Sequence, residues 1–261
     1  MKAVNLPPRP KEGHKGTFGT VAIFAGQIND EAVMLGSAVF AGKAALKTGV
    51  GLVDFYAEKP VLIRLISLLP QAVGHSASKI DQFSSKWDSV LAGSGWEESD
   101  RNLKLLEKIL NLKKPTVIDG GALNLLAKNP GYLNKLHQKC VLTPHVKEFE
   151  RLKKASGGQS AEDFVKKYGG VLVVKSNETK VFGPGLAWTH RGNNPVLATG
   201  GTGDVLTGLI GGLSAQTYLN MSLAEIVRTA VKIHAQSAVQ WKNLYKNKAL
   251  DLESFIDQIT Y

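Results

Sequence analysis

Asn193-Asn194-Pro195-Val196-Leu197-Ala198-Thr199-Gly200-Gly201-Thr202-Gly203-Asp204-Val205-Leu206-Thr207-Gly208 holds more structural information than any other stretch of this 261-residue chain. Gly200, Gly201 and Gly203 alternate with Thr199 and Thr202, and Val205, Leu206, Leu209, Ile210 and Leu213 then recur at helical spacing. Permissive backbone therefore runs straight into a helix with one buried face. Such a junction offers an anion free N–H groups and the positive end of a helix dipole. Asp204 falls in the first turn, where an acid can simply support the helix start or act as a base beside a bound phosphate. The dipole is expected to hold its pKa low, with bound phosphate charge raising it.

Outward from this stretch, short apolar runs alternate with helical patterns. Strands are predicted at Thr20–Ala25, Gly51–Tyr56, Ser89–Gly93, Thr116–Asp119, Cys140–Thr143 and Gly170–Lys175, with a hairpin at Lys180–Gly183 and Leu186–His190. Helices are predicted at Ala32–Thr48, Val61–Leu69, Asp100–Leu110, Ala122–Lys128, Pro130–His137, Val146–Lys154, Ala161–Tyr168, Asp204–Gln216 and Leu223–Trp241. This alternation implies right-handed βαβ units, a mainly parallel sheet in an α/β fold, and one domain over residues 1–261. In such sheets ligands bind where the strands end, so strand-exit residues carry the functional interest.

Three exits stand out. Leu142-Thr143-Pro144-His145-Val146-Lys147-Glu148-Phe149 leaves a strand and opens a helix. His145 there can satisfy a loop carbonyl or touch a ligand. Val173-Val174-Lys175-Ser176-Asn177-Glu178-Thr179 ends a buried strand in a cation, which can meet a phosphate or turn to solvent. Thr116-Val117-Ile118-Asp119-Gly120-Gly121 ends one in a carboxylate, which can hold a water of a magnesium ion or accept a structural hydrogen bond.

Composition narrows the classes. The chain is 43% apolar and 21% charged, with a net charge of +10 and a pI near 9.5. A basic field favours anionic small molecules such as nucleotides. The lysines are scattered and no zinc-finger spacing or arginine-rich arm accompanies them, which places nucleic acid last among ligands. Cys140, the only cysteine, lies in an apolar run and reads as a structural thiol. Met1–Lys15 lacks the apolar core of a signal peptide and Arg64 interrupts the longest apolar run, so no membrane partner is expected and the cytoplasm is the default location.

Taken together, these strings resemble the ADP/ATP-dependent NAD(P)H-hydrate dehydratases of the ribokinase-like superfamily. His14-Lys15-Gly16-Thr17-Phe18-Gly19, Ala44-Ala45-Leu46-Lys47-Thr48-Gly49-Val50-Gly51-Leu52-Val53, Leu142–His145 and Ala198–Gly208 carry the likeness in order across nearly the whole chain. The resemblance implies a three-layer α/β/α fold. It also implies repair of hydrated NADH or NADPH, the S epimer losing water at the expense of ADP or ATP, with Mg2+ in attendance. By the same resemblance Asp204 is the base, and Gly200, Gly201, Thr202 and Gly203 form the anion hole. Lys175, Ser176, Asn177, Glu178, Thr179 and Gly203 hold the nucleotide, while Ser37, Gly95, His145 and Asp204 contact the hydrated cofactor. A homo-oligomer and a separate epimerase are expected partners.

The chain departs from the family pattern at Glu97 in the Gly93–Glu97 loop, at Gly121, at Lys147 and at Ser176. Gly121 replaces an acid, and Lys147 is a candidate counter-charge for Glu97. The other readings are a vitamin-precursor or sugar kinase of the same fold, and a catalytically degenerate nucleotide-binding relative.

Overall fold

Strands buried on both faces need uninterrupted β-branched and aliphatic runs, and the computed structural model, which describes residues 4–192, 194–246 and 248–261, places strands on those runs. They are β1 (Thr20–Phe24), β2 (Gln27–Ile28), β3 (Val33–Met34), β4 (Leu52–Ala57), β5 (Val73–Ser76), β6 (Ser89–Ala92), β7 (Thr116–Ile118), β8 (Cys140–Leu142), β9 (Val171–Val174), β10 (Thr179–Gly183) and β11 (Leu186–His190). Nine of them form one sheet in the order β11-β10-β9-β8-β7-β6-β1-β4-β5. The pairs from β9 through β5 are parallel, and β10 and β11 add an antiparallel edge.

Helices cover both faces: α1 (Gly36–Lys47), α2 (Lys59–Leu68), α3 (Ile80–Phe83), α4 (Asp100–Asn111), α5 (Gly121–Lys128), α6 (Val146–Ala155), α7 (Ala161–Tyr168), α8 (Thr202–Ala215), α9 (Leu223–Tyr245) and α10 (Leu252–Asp257). The period-two alternation of the strands divides the core. Val21 and Ile23 of β1 face α1, α8 and α9, whereas Ala22 and Phe24 face α4 and α5. The result is the three-layer α/β/α arrangement the family resemblance implied.

Helix α8 can lie against α1 because its facing positions are glycine. A Cβ at Gly208 would sit 2.2 Å from the Ala41 carbonyl oxygen, and one at Gly212 would sit 2.4 Å from Thr48 Oγ1. This close approach fixes where α8 begins, and therefore where the Gly-rich loop sits.

The sheet has one switch point. From β1 the chain moves outward through β4 to β5, then returns to β6 on the other side and continues through β7, β8 and β9. The exits of β1, β6, β7, β8 and β9 thus share one rim, where a ligand crevice belongs.

Several elements differ from the sequence expectation. Helix α1 starts at Gly36 instead of Ala32, because Asn29 Oδ1 accepts from the Glu31 and Ala32 amides at 3.1 and 2.8 Å and turns the chain into the β2–β3 ribbon. Pro130–Lys135 is a 3-10 segment, shorter than the predicted helix. Strands β2, β3 and β5 and helices α3 and α10 had not been expected. In β5, which is mostly exposed, Val73 is the one apolar side chain, and only half of α10 is apolar. Among the described residues no helix is long and apolar enough to cross a membrane.

Candidate active site

The rim is built by strand exits. Asp119 follows β7, Thr143 follows β8, Lys175 follows β9 and Ser94 follows β6. Asp119 is buried, and a buried carboxylate must be paired. Its Oδ1 accepts from Thr143 Oγ1 at 2.8 Å and from Lys175 Nζ at 2.7 Å, while Ser94 Oγ donates to Oδ2 at 3.4 Å. The strand-end lysine and the strand-end carboxylate therefore meet each other.

Lys175 also faces the Gly-rich loop. A Cβ added at Gly203 would lie 3.1 Å from its Nζ, so Gly203 is small because the ammonium passes over it. Burial alone would lower the Lys175 pKa, but Asp119, Glu148 and Asp204 together hold it above the usual lysine range. Gly201 caps α8 at φ 92°, in the left-handed region that favours glycine. Thr202 Oγ1 donates within the loop, lying 2.9 Å from both the Leu197 and Thr199 carbonyl oxygens.

Asp204 sits in the first turn of α8, and its pKa is pushed up to about 6. Burial is the largest cause and the neighbouring Asp119 adds to it, while Ser94 and Lys175 pull the other way. The expectation that the helix dipole holds Asp204 low is thus corrected. Desolvation outweighs the dipole, and Asp204 is a stronger base than an ordinary aspartate before any nucleotide arrives.

The His145 ring caps a helix instead of satisfying a loop carbonyl. As N-cap of α6 it forms a reciprocal capping box: its ring Nδ1 accepts from the Glu148 amide at 3.3 Å, and Glu148 Oε2 accepts from the His145 amide at 2.8 Å. It also lines a cavity of about 470 Å³ together with Lys175, Ser176, Asn177, Thr179, Gly200, Thr202 and Gly203. Leu206, Val231 and Ala235 give that cavity an apolar wall. Glu178 is exposed and contributes its backbone, the carbonyl accepting from Ser176 Oγ at 2.7 Å.

Gly201 faces Leu252 and Phe40. Ser37 and Gly95 lie outside the cavity but against each other, since a Cβ at Gly95 would sit 2.3 Å from Ser37 Oγ. Asp204 is not part of the cavity wall either; its carboxylate hydrogen-bonds Ser94. Of the Gly-rich stretch, Asn193 lies outside the described residues.

The departures from the family pattern have local causes. A Cβ at Gly121 would fall 2.2 Å from the Trp96 carbonyl oxygen, so no side chain fits there while the Gly93–Glu97 loop is folded over it. Glu97 accepts from Asn29 Nδ2 at 2.6 Å, whereas Lys147 is exposed on α6; the neutral amide, and not Lys147, meets the acid. His234 escaped the sequence reading, because it is interior to a helix and its partner Thr202 is distant in the chain. Glu148 supports the start of α6 as the sequence suggested.

Comparisons with known proteins give the chain's family and fold. A family model described as NAD(P)H-hydrate dehydratase matches residues 27–260. The ADP-dependent (S)-NAD(P)H-hydrate dehydratase of Streptococcus thermophilus is 36% identical over 249 residues, covering 89% of this chain and 86% of that protein. The bifunctional NAD(P)H-hydrate repair enzyme of Coxiella burnetii is 34% identical over 89% of this chain, which spans only 48% of that longer protein. Among solved structures, the ADP/ATP-dependent NAD(P)H-hydrate dehydratase of Bacillus subtilis, co-crystallized with ATP/Mg2+, matches with a TM-score of 0.81 at 26% identity, covering 97% of this chain and 92% of that one. A ribokinase-like superfamily protein of Enterococcus faecalis matches with a TM-score of 0.82 at 25% identity, covering 97% of this chain and 89% of that one.

Proposed function

The chain belongs to the NAD(P)H-hydrate dehydratase family, and from that membership we propose that it removes water from the S epimer of hydrated NADH or NADPH at the expense of ADP or ATP. The observation that carries the reading is Asp204, a carboxylate with its pKa raised to about 6, set beside the Gly-rich helix start and Lys175.

In this reading the ionised Asp204 takes the proton from the ring hydroxyl as that oxygen attacks the terminal phosphorus of the nucleotide. The bond to the bridging oxygen breaks and the shortened nucleotide leaves. The N–H groups of Gly200 to Gly203, with the Lys175 ammonium, stabilise the charge in flight, where a single donor is commonly worth about 10²- to 10³-fold in rate. The ring nitrogen's lone pair then expels phosphate, and loss of a proton from the adjacent ring carbon restores the dihydropyridine.

The cavity beside Lys175, Ser176, Asn177 and Thr179 takes the nucleotide, with its base against the apolar wall at Leu206, Val231 and Ala235. Ser37, Gly95 and His145 contact the hydrated cofactor. Asp119 already accepts from Thr143, Lys175 and Ser94. Magnesium therefore fits best on the nucleotide phosphates, meeting the carboxylates through water. Val239 and Leu244 stand exposed on α9 and offer apolar surface that a second copy could cover.

The test follows absorbance at 340 nm during incubation of hydrated NADH with ADP or ATP. Nucleotide-dependent recovery by the wild type and none by folded Asp204→Ala is the expected result. Accumulation of a stable phosphorylated product would make the protein a kinase instead.

A further inference from the structure

His234 projects from the middle of α9 and is 8% exposed. Its Nε2 lies 2.9 Å from the carbonyl oxygen of Thr202, the first residue of α8. A carbonyl can only accept, so the imidazole donates from Nε2. Burial pushes the His234 pKa down to about 4, which leaves the ring neutral at working pH with one proton to give. Phe255 meets the ring edge-on at 5.5 Å between centroids and fixes its plane.

The carbonyl of Thr202 and the amide of Gly203 belong to the same peptide unit, which is planar. Whatever fixes the direction of one fixes the other. The Gly203 N–H is among the first four of α8, which have no acceptor inside the helix. It belongs to the residue that Lys175 passes over, immediately before Asp204. The helical turn of α8 begins with this carbonyl, and His234 adds to it a donor from outside the loop.

We propose that His234 is a positioning residue for phosphoryl transfer: by holding the Thr202 carbonyl it aims the Gly203 N–H at the phosphoryl group in flight. This deepens the function proposed above and rests on Gly200 to Gly203 being the phosphate cradle.

Two substitutions separate aiming from filling space. His234→Leu keeps the bulk and loses the donor, whereas His234→Gln carries an amide nitrogen to the place of Nε2. Each is compared with wild type by calorimetry, with the shortened nucleotide (AMP for the ADP reaction, ADP for the ATP reaction) alone and with added aluminium fluoride, which stands in for the phosphoryl group in transit. The Leu variant is expected to bind that nucleotide like wild type but to lose about tenfold of the affinity gained with aluminium fluoride, less than the ~10²-fold or more of a deleted donor because the N–H remains and is only misaimed. In turnover it lowers kcat with little change in KM for nucleotide. The Gln variant is expected to recover most of both.

A Leu variant that keeps the full aluminium fluoride gain, or a Gln variant as impaired as Leu, overturns the proposal. Should Leu fail to fold, Gln is compared with His234→Asn, whose shorter amide cannot reach; equal behaviour of those two overturns it equally. Wild type that gains nothing from aluminium fluoride would sink the phosphate-cradle reading itself, an outcome distinct from a loss confined to one variant.

Discussion

Asp204 has opposite effects on chemistry and on stability. As a base it must be ionised, so the rate constant at low substrate, kcat/KM, is expected to rise with pH through a limb near 6. The native state holds a proton on Asp204 that the unfolded chain releases near 3.8. Between those values unfolding releases a proton, so native stability falls as pH rises, and above about 6 the whole penalty of burying the charge is present. Asp204→Asn should therefore abolish turnover, raise Tm at pH 8, and leave Tm unchanged below pH 3.5. Thermal melts at the two pH values decide it; an Asn variant no more stable than wild type at pH 8 would show that the buried charge is not under strain. Asp204, Lys175 and Asp119 were readable in the sequence because each ends a strand or begins a helix, where ligands gather. Their mutual contact was not readable, since it depends on β7 and β9 flanking β8. The desolvation that raises Asp204 was equally hidden, because burial is a property of the folded rim.

Elements were legible where their signals were local. The apolar runs of β1, β6 and β9 and the long amphipathic pattern of α9 announced themselves, and Ser222 with Glu225 closes a capping box at the start of α9. The β2–β3 ribbon was not legible, because its turn depends on one asparagine side chain. The seam between α1 and α8 was hidden too, since a glycine inside a helix reads as a weakness until the neighbour is seen. That seam makes a prediction. Gly208→Ala drives a methyl toward the Ala41 carbonyl and is expected to cost about 1–3 kcal/mol, a fall of several degrees in Tm. Gly200→Ala meets no atom within 4 Å and serves as the control that leaves Tm unchanged. Equal melts for the two would mean the helices can part at no cost.

Across the whole molecule the charge is unevenly placed. The chain is +10 overall, yet the rim sets Asp119, Asp204 and Glu148 around the Lys175 ammonium. An anionic nucleotide therefore approaches a locally acidic site through a basic field. Salt screens the distant lysines more than the buried rim. Raising ionic strength from about 0.05 to about 0.5 M should increase KM for ADP severalfold with kcat unchanged, read by steady-state kinetics; a flat KM would assign all binding to local contacts. The mainly parallel sheet was legible from alternation alone, and its cover of helices on both faces from the family resemblance. The edge at β5 was not, because an exposed strand of mixed polarity carries no periodic signal.

Cys140 lies inside β8 with its thiol pushed up to about 12 by burial, and the sequence holds no other cysteine. Toward thiol-directed reagents such as maleimides the native protein is unreactive. A cysteine placed at exposed Ser176, on the rim of the nucleotide cavity, would thus be the sole reactive thiol, and a dye attached there would report occupancy of the cavity from a single known point.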